Sequence, residues 1–175
     1  MELVPLTMEH KGMLQEFLAD FQAAGETNIP AYFARPDWTH EEAVRTFADW
    51  SRGEGLSAGL VPTTTLFLMV EAQLVGVVNF RHRLTEELEA YGGHVGYSVA
   101  PSHRGKGYGT RLLAGALNQA SGQGLDRVLV TCDPVNLPSI RVIEKNGGVY
   151  MDTLFEEDIQ RQVSRFWIEL EDRSA

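Results

Sequence analysis

The chain has 175 residues, 43% hydrophobic and 22% charged, a balance that supports one soluble domain over residues 1–175 with its own core. A formal net charge of −9 argues against a nucleic-acid-binding surface and suits a cationic or neutral substrate, or equally plain solubility. Cys132 is the only cysteine, which excludes an intrachain disulfide and a cysteine-rich metal cluster.

Glu2, Pro5, Glu9 and Lys11 interrupt the first fourteen residues, so no signal peptide is expected there, and no apolar run approaches the ~20 residues of a membrane span. A cytoplasmic, reducing location is the resulting expectation. In chain order, 2–6 reads as a short strand, and 8–21 carries Leu14, Phe17, Leu18 and Phe21 at helical spacing. Pro30 and Pro36 keep the 25–38 stretch irregular. Thr39 with Glu42 forms a capping box for a helix bearing Val44, Phe47 and Trp50. Strands at 65–70 and 74–80, joined by Glu71-Ala72-Gln73, form an antiparallel hairpin. Residues 81–93 are polar, a loop or short helix, and His94–Ala100 is the next strand.

That strand runs into Arg104-Gly105-Lys106-Gly107-Tyr108-Gly109-Thr110, which opens a helix containing Leu112, Leu113, Ala116, Leu117 and Ala120. A strand, a glycine turn and a helix in succession aim several main-chain N–H groups and the positive end of a helix dipole at one spot. Arg104 and Lys106 add positive charge, so a pyrophosphate suits the turn. After glycines 122 and 124 comes a compact, central strand, Arg127–Thr131. Pro138 fits the first turn of a helix that buries Ile140 and Ile143 and stops at Gly147-Gly148. The tail closes with strands at 149–151 and 164–170. The whole reads as an α/β domain with a mixed sheet.

The glycine spacing decides which pyrophosphate. A Walker A loop fails because Gly105-Lys106 is followed by Gly107 and position 100 is alanine. A dinucleotide fingerprint fails because the spacing is Gly-x-Gly-x-Gly. The spacing Arg-x-x-Gly-x-Gly, met by Arg104, Gly107 and Gly109, resembles the acetyl-CoA signature of the GNAT superfamily of N-acetyltransferases. Asn136-x-x-Ser139 followed by Glu144-Lys145-x-Gly147 is similar to the family's later helix, and the element order matches along nearly the whole chain. Gly92–Val99, Thr131-Cys132-Asp133 and Ile143–Gly148 further resemble a group of bacterial predicted acetyltransferases. The resemblance implies an α/β (α+β) fold, with a mixed, mostly antiparallel sheet of six to seven strands flanked by about four helices.

By the same resemblance, acetyl-CoA is the co-substrate and no metal is required. The main chain from Arg104 through Gly105, Lys106, Gly107, Tyr108, Gly109 and Thr110 would cradle the pyrophosphate. Val99 would offer backbone groups to the pantetheine and the oxyanion. Asn136 and Ser139 would meet the cofactor, although both also suit the capped first turn of a helix. Acetyl transfer to an alkylamine calls for a base. His94 on the fourth strand is the first candidate and Glu89 the second, with Glu86 and Glu87 beside it; a structural histidine and a solvated loop carboxylate are the competing readings. The family's tyrosine before Glu-Lys, which protonates the departing thiolate, is Ile143 here. Tyr108, Tyr150, Ser139 or a water are the available substitutes.

Cys132, beside Asp133 at a strand end, reads as packing rather than as a nucleophile, and the five histidines 10, 40, 82, 94 and 103 have no metal-ligand spacing. Arg81-His82-Arg83 is a basic cluster suited to a 3′-phosphate, an acidic substrate or plain solvation, and Tyr32, Phe33 and Trp38 suit either a pocket wall or helix packing. The expected activity is direct acetyl transfer to a primary amine of a small molecule or peptide. The alternatives are O-acyl transfer and a non-catalytic acyl-CoA-binding sensor, for which Ile143 argues. No nucleic acid or membrane partner is expected, and the alternating tail 164–170 offers a homodimer interface.

Overall fold

The apolar runs flanking Glu71-Ala72 fold back on one another, and a sheet grows outward from that hairpin. The computed structural model describes residues 1–26 and 38–170. Its strands are β1 (Glu2–Val4), β2 (Thr63–Val70), β3 (Gln73–Arg81), β4 (Val95–Val99), β5 (Arg127–Cys132), β6 (Val149–Glu156) and β7 (Arg161–Glu169). They form a seven-stranded sheet in the order β1-β2-β3-β4-β5-β7-β6. Only β4 and β5 run parallel.

Four α-helices among the described residues cover the sheet: α1 (Lys11–Ala23), α2 (His40–Ser51), α3 (Tyr108–Gly122) and α4 (Leu137–Lys145). β3 is buried on both faces and divides the core by its alternation. Val77 joins Phe17, Phe21, Phe47, Trp50 and Phe67 under α1 and α2. Val78 joins Leu112, Leu113, Val128, Val130, Ile143 and Phe166 under α3 and α4. The capping box expected for α2 is present, with the Glu42 N–H donating to Thr39 Oγ1 and the Thr39 N–H to Glu42 Oε2.

The structure refines the sequence reading at the first helix, the polar loop and the last two strands. The first helical segment begins as a 3-10 turn, Met8–His10, before α1. Residues Leu88–Gly92 form a π-type turn within the polar 81–93 loop. β6 and β7 extend well past the apolar residues that signalled them, because charge carries their pairing. Asp152 faces Arg165 and Glu156 faces Arg161 across the ladder, each joined by an ion pair. A register shift between Tyr150 and Asp152 bends the edge strand β6 where this charged half begins.

The parallel pair at the centre sets up the site. β4 and β5 share one bridging pair, Val95↔Val130, and then diverge. The Arg81 N–H bonds to the His94 carbonyl, and the Ala100 N–H to the Val75 carbonyl. Even-numbered β4 residues therefore spend their main-chain groups on β3, and those of Tyr97 and Val99 face the opening toward β5. Just before the bridge, Gly93 adopts φ +63, and a Cβ there would lie 2.7 Å from the Leu129 carbonyl oxygen. Replacing Gly93 with alanine combines left-handed strain with a backbone clash, so urea unfolding should report a loss of about 3 kcal/mol.

Candidate active site

Where β4 and β5 part, a cleft of about 670 Å³ opens between the end of α1, β4, the turn before α3 and the first turns of α4. Its floor at one end is the glycine turn. Gly105 and Gly107 adopt φ +77 and φ +80 with open space around a hypothetical Cβ, so glycine serves backbone conformation there rather than packing. Gly109 is different, since a Cβ would come 3.2 Å from Val142 and its smallness lets α3 approach α4.

Gly107 is the N-cap of α3, and no side chain caps the helix. The N–H groups of Tyr108, Gly109 and Thr110 precede the first intrahelical donor, Arg111, and all three residues line the cleft. A fifteen-residue helix thus presents its positive end, uncapped, to a groove. That arrangement fits a pyrophosphate. Arg141 and Lys145, four residues apart on α4, also line the cleft and supply cationic side chains.

The Arg104 side chain does not turn toward the main-chain cradle. Its guanidinium grips both oxygens of Glu26, at 2.5 and 2.8 Å, and its Nε donates to the Val99 carbonyl at 3.1 Å. The pair lowers the Glu26 pKa and raises that of Arg104. Glu26, which the sequence reading missed, is the carboxylate among the described residues that line the cleft. No local spacing announces it, because 78 residues separate it from Arg104.

Opposite the turn, the first turn of α4 lines the cleft with Asn136, Pro138 and Ser139. Asn136 Oδ1 accepts the Ser139 N–H at 3.1 Å, an N-cap that leaves the Ser139 hydroxyl available. That hydroxyl lies 2.7 Å from the Tyr97 phenol, which projects from β4 on the same face as Val99. Tyr97 was also missed, although period-2 alternation from Val99 points to it. Burial pushes the Tyr97 pKa up to about 12, with the Ser139 bond acting in the opposite direction.

The two expected base candidates lie elsewhere. His94 is 7% exposed, and its ring sits at the closed end of the β4–β5 pair, outside the set of cleft residues. Its N–H donates to the Leu129 carbonyl at 2.7 Å, while the Leu129 N–H donates to His94 Nδ1 at 2.9 Å. A nitrogen that accepts an N–H carries no proton, so the neutral ring is protonated on Nε2 and has no lone pair left for a substrate. Burial, assisted by Arg81, pushes the His94 pKa down to about 4. Glu89 is exposed on the π-type turn, where its carbonyl accepts from Arg165.

Ile143 is fully buried in the core under α3 and α4. Arg81 donates to the Gly92 and Gly93 carbonyls and His82 bonds Thr64, so this basic pair braces the loop. Cys132 is raised to about 11 by burial and by Asp133, which keeps it a thiol at neutral pH. Trp38 packs edge-on against Phe47 and Trp50; Tyr32 and Phe33 lie outside the described residues. Among the described residues, no three His, Cys, Asp or Glu gather as a metal site, and no helix is long and apolar enough to cross a membrane.

The chain matches the family described as acetyltransferase (GNAT) domain over residues 1–149. It is 26% identical over 134 residues to the uncharacterized N-acetyltransferase YnaD of Bacillus subtilis, covering 76% of this chain and 73% of that protein. Its fold is similar to that of YncA, a putative acetyltransferase from Salmonella typhimurium solved with its cofactor acetyl-CoA. That similarity has TM-score 0.65 and 14% identity, over 99% of this chain and 96% of the other. It is also similar to the ribosomal-protein-alanine N-acetyltransferase of Brucella melitensis, with TM-score 0.66 and 17% identity, over 97% of this chain and all of that one.

The His94 geometry carries a pH signature. Its folded pKa lies below the ordinary 6.5, so between pH 6.5 and about 4 the unfolded chain binds the extra proton. This contribution to stability is complete above pH 6.5 and falls as pH drops toward 4, by up to about 3 kcal/mol. In His94→Asn an amide oxygen can still accept the Leu129 N–H but does not titrate. Urea midpoints measured across this range should fall less steeply for the variant than for the wild type.

Proposed function

The chain belongs to the GNAT family and is an acetyl-CoA-dependent N-acetyltransferase, and from that premise we propose that its acceptor is a primary amine of a small molecule or peptide, entering the cleft where β4 and β5 part. The observation that carries this reading is the joining, in one groove, of an uncapped helix N-terminus with the stretch of β4 that no longer pairs with β5. The first suits a pyrophosphate and the second an extended chain ending in a carbonyl.

In this reading the N–H groups from Gly105 to Thr110 hold the pyrophosphate, with Arg141 and Lys145 adding charge from α4. Asn136 and Ser139 face the pantetheine arm from α4. The Val99 N–H, turned toward the opening, donates to the oxygen that gains charge during transfer. Bound acetyl-CoA supplies an acetyl group activated as a thioester. Arg104 takes a supporting role. By bonding the Val99 carbonyl it fixes the strand end beside the cradle, and by holding Glu26 it brings α1 to the lip of the groove.

We assign His94 to holding β4 against β5 rather than to proton transfer, since its Nδ1 is engaged and its ring lies outside the groove. Glu26, its pKa lowered by the Arg104 guanidinium that holds both of its oxygens, is ill suited to removing a proton from an amine acceptor. The acidic protein as a whole favours the same class of acceptor.

Isothermal titration with acetyl-CoA tests the reading directly. The wild type should bind, and Gly107→Glu, which sets a carboxylate at a left-handed N-cap, should weaken binding by roughly 100-fold or more. Circular dichroism confirms that the variant is folded. A thiol-release screen with polyamines and with peptides starting in alanine or serine then examines the acceptor. A folded wild type that binds acetyl-CoA yet releases no thiol with any amine would remove the primary-amine reading.

A further inference from the structure

The sheet face turned toward α1 and α2 changes character from one cross-strand row to the next. Phe67, Val77 and Ser98 stand opposite one another on β2, β3 and β4, and the first two belong to the core under those helices. The next row is Thr65, Asn79 and Gly96, followed by Thr63, Arg81 and His94. Thr63, Thr65 and Asn79 are all buried. Thr65 Oγ1 donates to Asn79 Oδ1 at 2.8 Å, and Thr63 Oγ1 donates to the Val61 carbonyl at 2.9 Å.

Two features of the middle row do nothing for the fold. Among the described residues the Asn79 amide nitrogen donates to no partner, and no fully enclosed side-chain nitrogen or oxygen lacks one, so this nitrogen faces open space. Gly96 lies in ordinary strand backbone, and no described residue comes within 4 Å of where its Cβ would stand. Neither conformation nor packing asks for glycine there. Gly96 directly follows Val95, which bridges to β5, and Ser98, the next residue on its face, lines the cleft. An unfilled space therefore adjoins the point where the strands part, with an amide donor beside it.

We propose that Gly96 and Asn79 form the acceptor subsite, and that the acceptor carries a carbonyl on the carbon beside its amine, as a peptide N-terminus or an amino amide does. The inference rests on the primary-amine reading above and narrows it. The open space over Gly96 admits the amine-bearing carbon, and the Asn79 amide N–H donates to the neighbouring carbonyl. A protonated polyamine has only donors to offer and leaves that N–H unanswered. No position in the three rows holds a carboxylate for a second ammonium group, and Arg81, fixed on the Gly92 and Gly93 carbonyls, adds a like charge.

The chemistry of the amine points the same way. His94 has no lone pair to offer, Glu26 is held by Arg104, and His103 stands against Tyr108 beside the glycine turn. An α-amino group titrates near 8 against about 10.4 for an alkylamine, so a substantial share is already neutral and nucleophilic at working pH. A groove without a poised base suits that amine best.

Isothermal titration into the complex with coenzyme A reads acceptor binding without turnover. Alanyl-alaninamide should bind, and spermidine at equal concentration should not. Gly96→Ala should keep the wild-type thermal midpoint and acetyl-CoA affinity, yet weaken the dipeptide amide about 10-fold or more, because its methyl occupies the open space. Asn79→Asp keeps an oxygen for Thr65 and removes the donor, and should also cost about 10-fold. Thiol release with free alaninamide and with a longer alanyl peptide then separates a small-molecule from a peptide source.

Dipeptide affinity unchanged in a folded Gly96→Ala would overturn the proposal, even if Asn79→Asp failed to fold. Preference for spermidine would overturn it too, while leaving the broader primary-amine reading intact. A wild type that binds no acetyl-CoA is a separate result, which would remove the reading beneath both.

Discussion

A parallel strand pair bonded along its full length would leave no room between β4 and β5. Here one end of the pair is closed by a two-way bond between His94 and Leu129, in which the His94 main-chain N–H donates to the Leu129 carbonyl and the histidine ring accepts the Leu129 N–H. Gly93 makes the close approach possible. Beyond Val95↔Val130 the strands separate, and the main-chain groups of Tyr97 and Val99 lose the neighbour a sheet would normally provide. The groove, its free N–H groups and the placing of α4 opposite β4 all depend on that single closed end. A histidine suits the clip because it buries an aromatic ring and still satisfies a backbone donor.

Charge in the groove is arranged by position more than by amount. The protein carries a net charge of −9, yet the walls near the glycine turn are a helix N-terminus and two cations from α4. Of the two motif cations expected to add charge at the turn, Arg104 is instead committed to Glu26 and to the Val99 carbonyl. Main-chain dipoles are thus what the turn offers to an anion, and the arginine ties together three elements around it. Glu26 answers the arginine's charge at the other lip of the groove.

Much of this was legible in the sequence because it rests on local rules. The capping box of α2, the hairpin at Glu71-Ala72 and the glycine turn before α3 are each set by neighbours within a few residues. That these two segments wall a cleft was legible for the same reason, since Arg104–Thr110 and Asn136–Ser139 are each contiguous. What escaped was nonlocal. Glu26 meets Arg104 only after the sheet has assembled, and Tyr97 meets Ser139 across 42 residues. His94 misleads for a similar reason: a histidine on a strand beside a groove looks available until its partner Leu129, 35 residues on, is known. The extended β6–β7 pairing was hidden because its signal is opposite charges in register, which apolar alternation does not record.

Gly105 and Gly107 hold their left-handed backbone in open space, with nothing for a side chain to strike. The anion site they shape is built from atoms that every residue possesses. Over evolutionary time, Lys106, exposed between them, can therefore drift in size and charge while the backbone of the turn persists. The two glycines cannot, whatever the chemistry of the replacement, because the penalty lies in φ rather than in contact. The shape of the turn is in this way decoupled from its side chains, which stay open to selection.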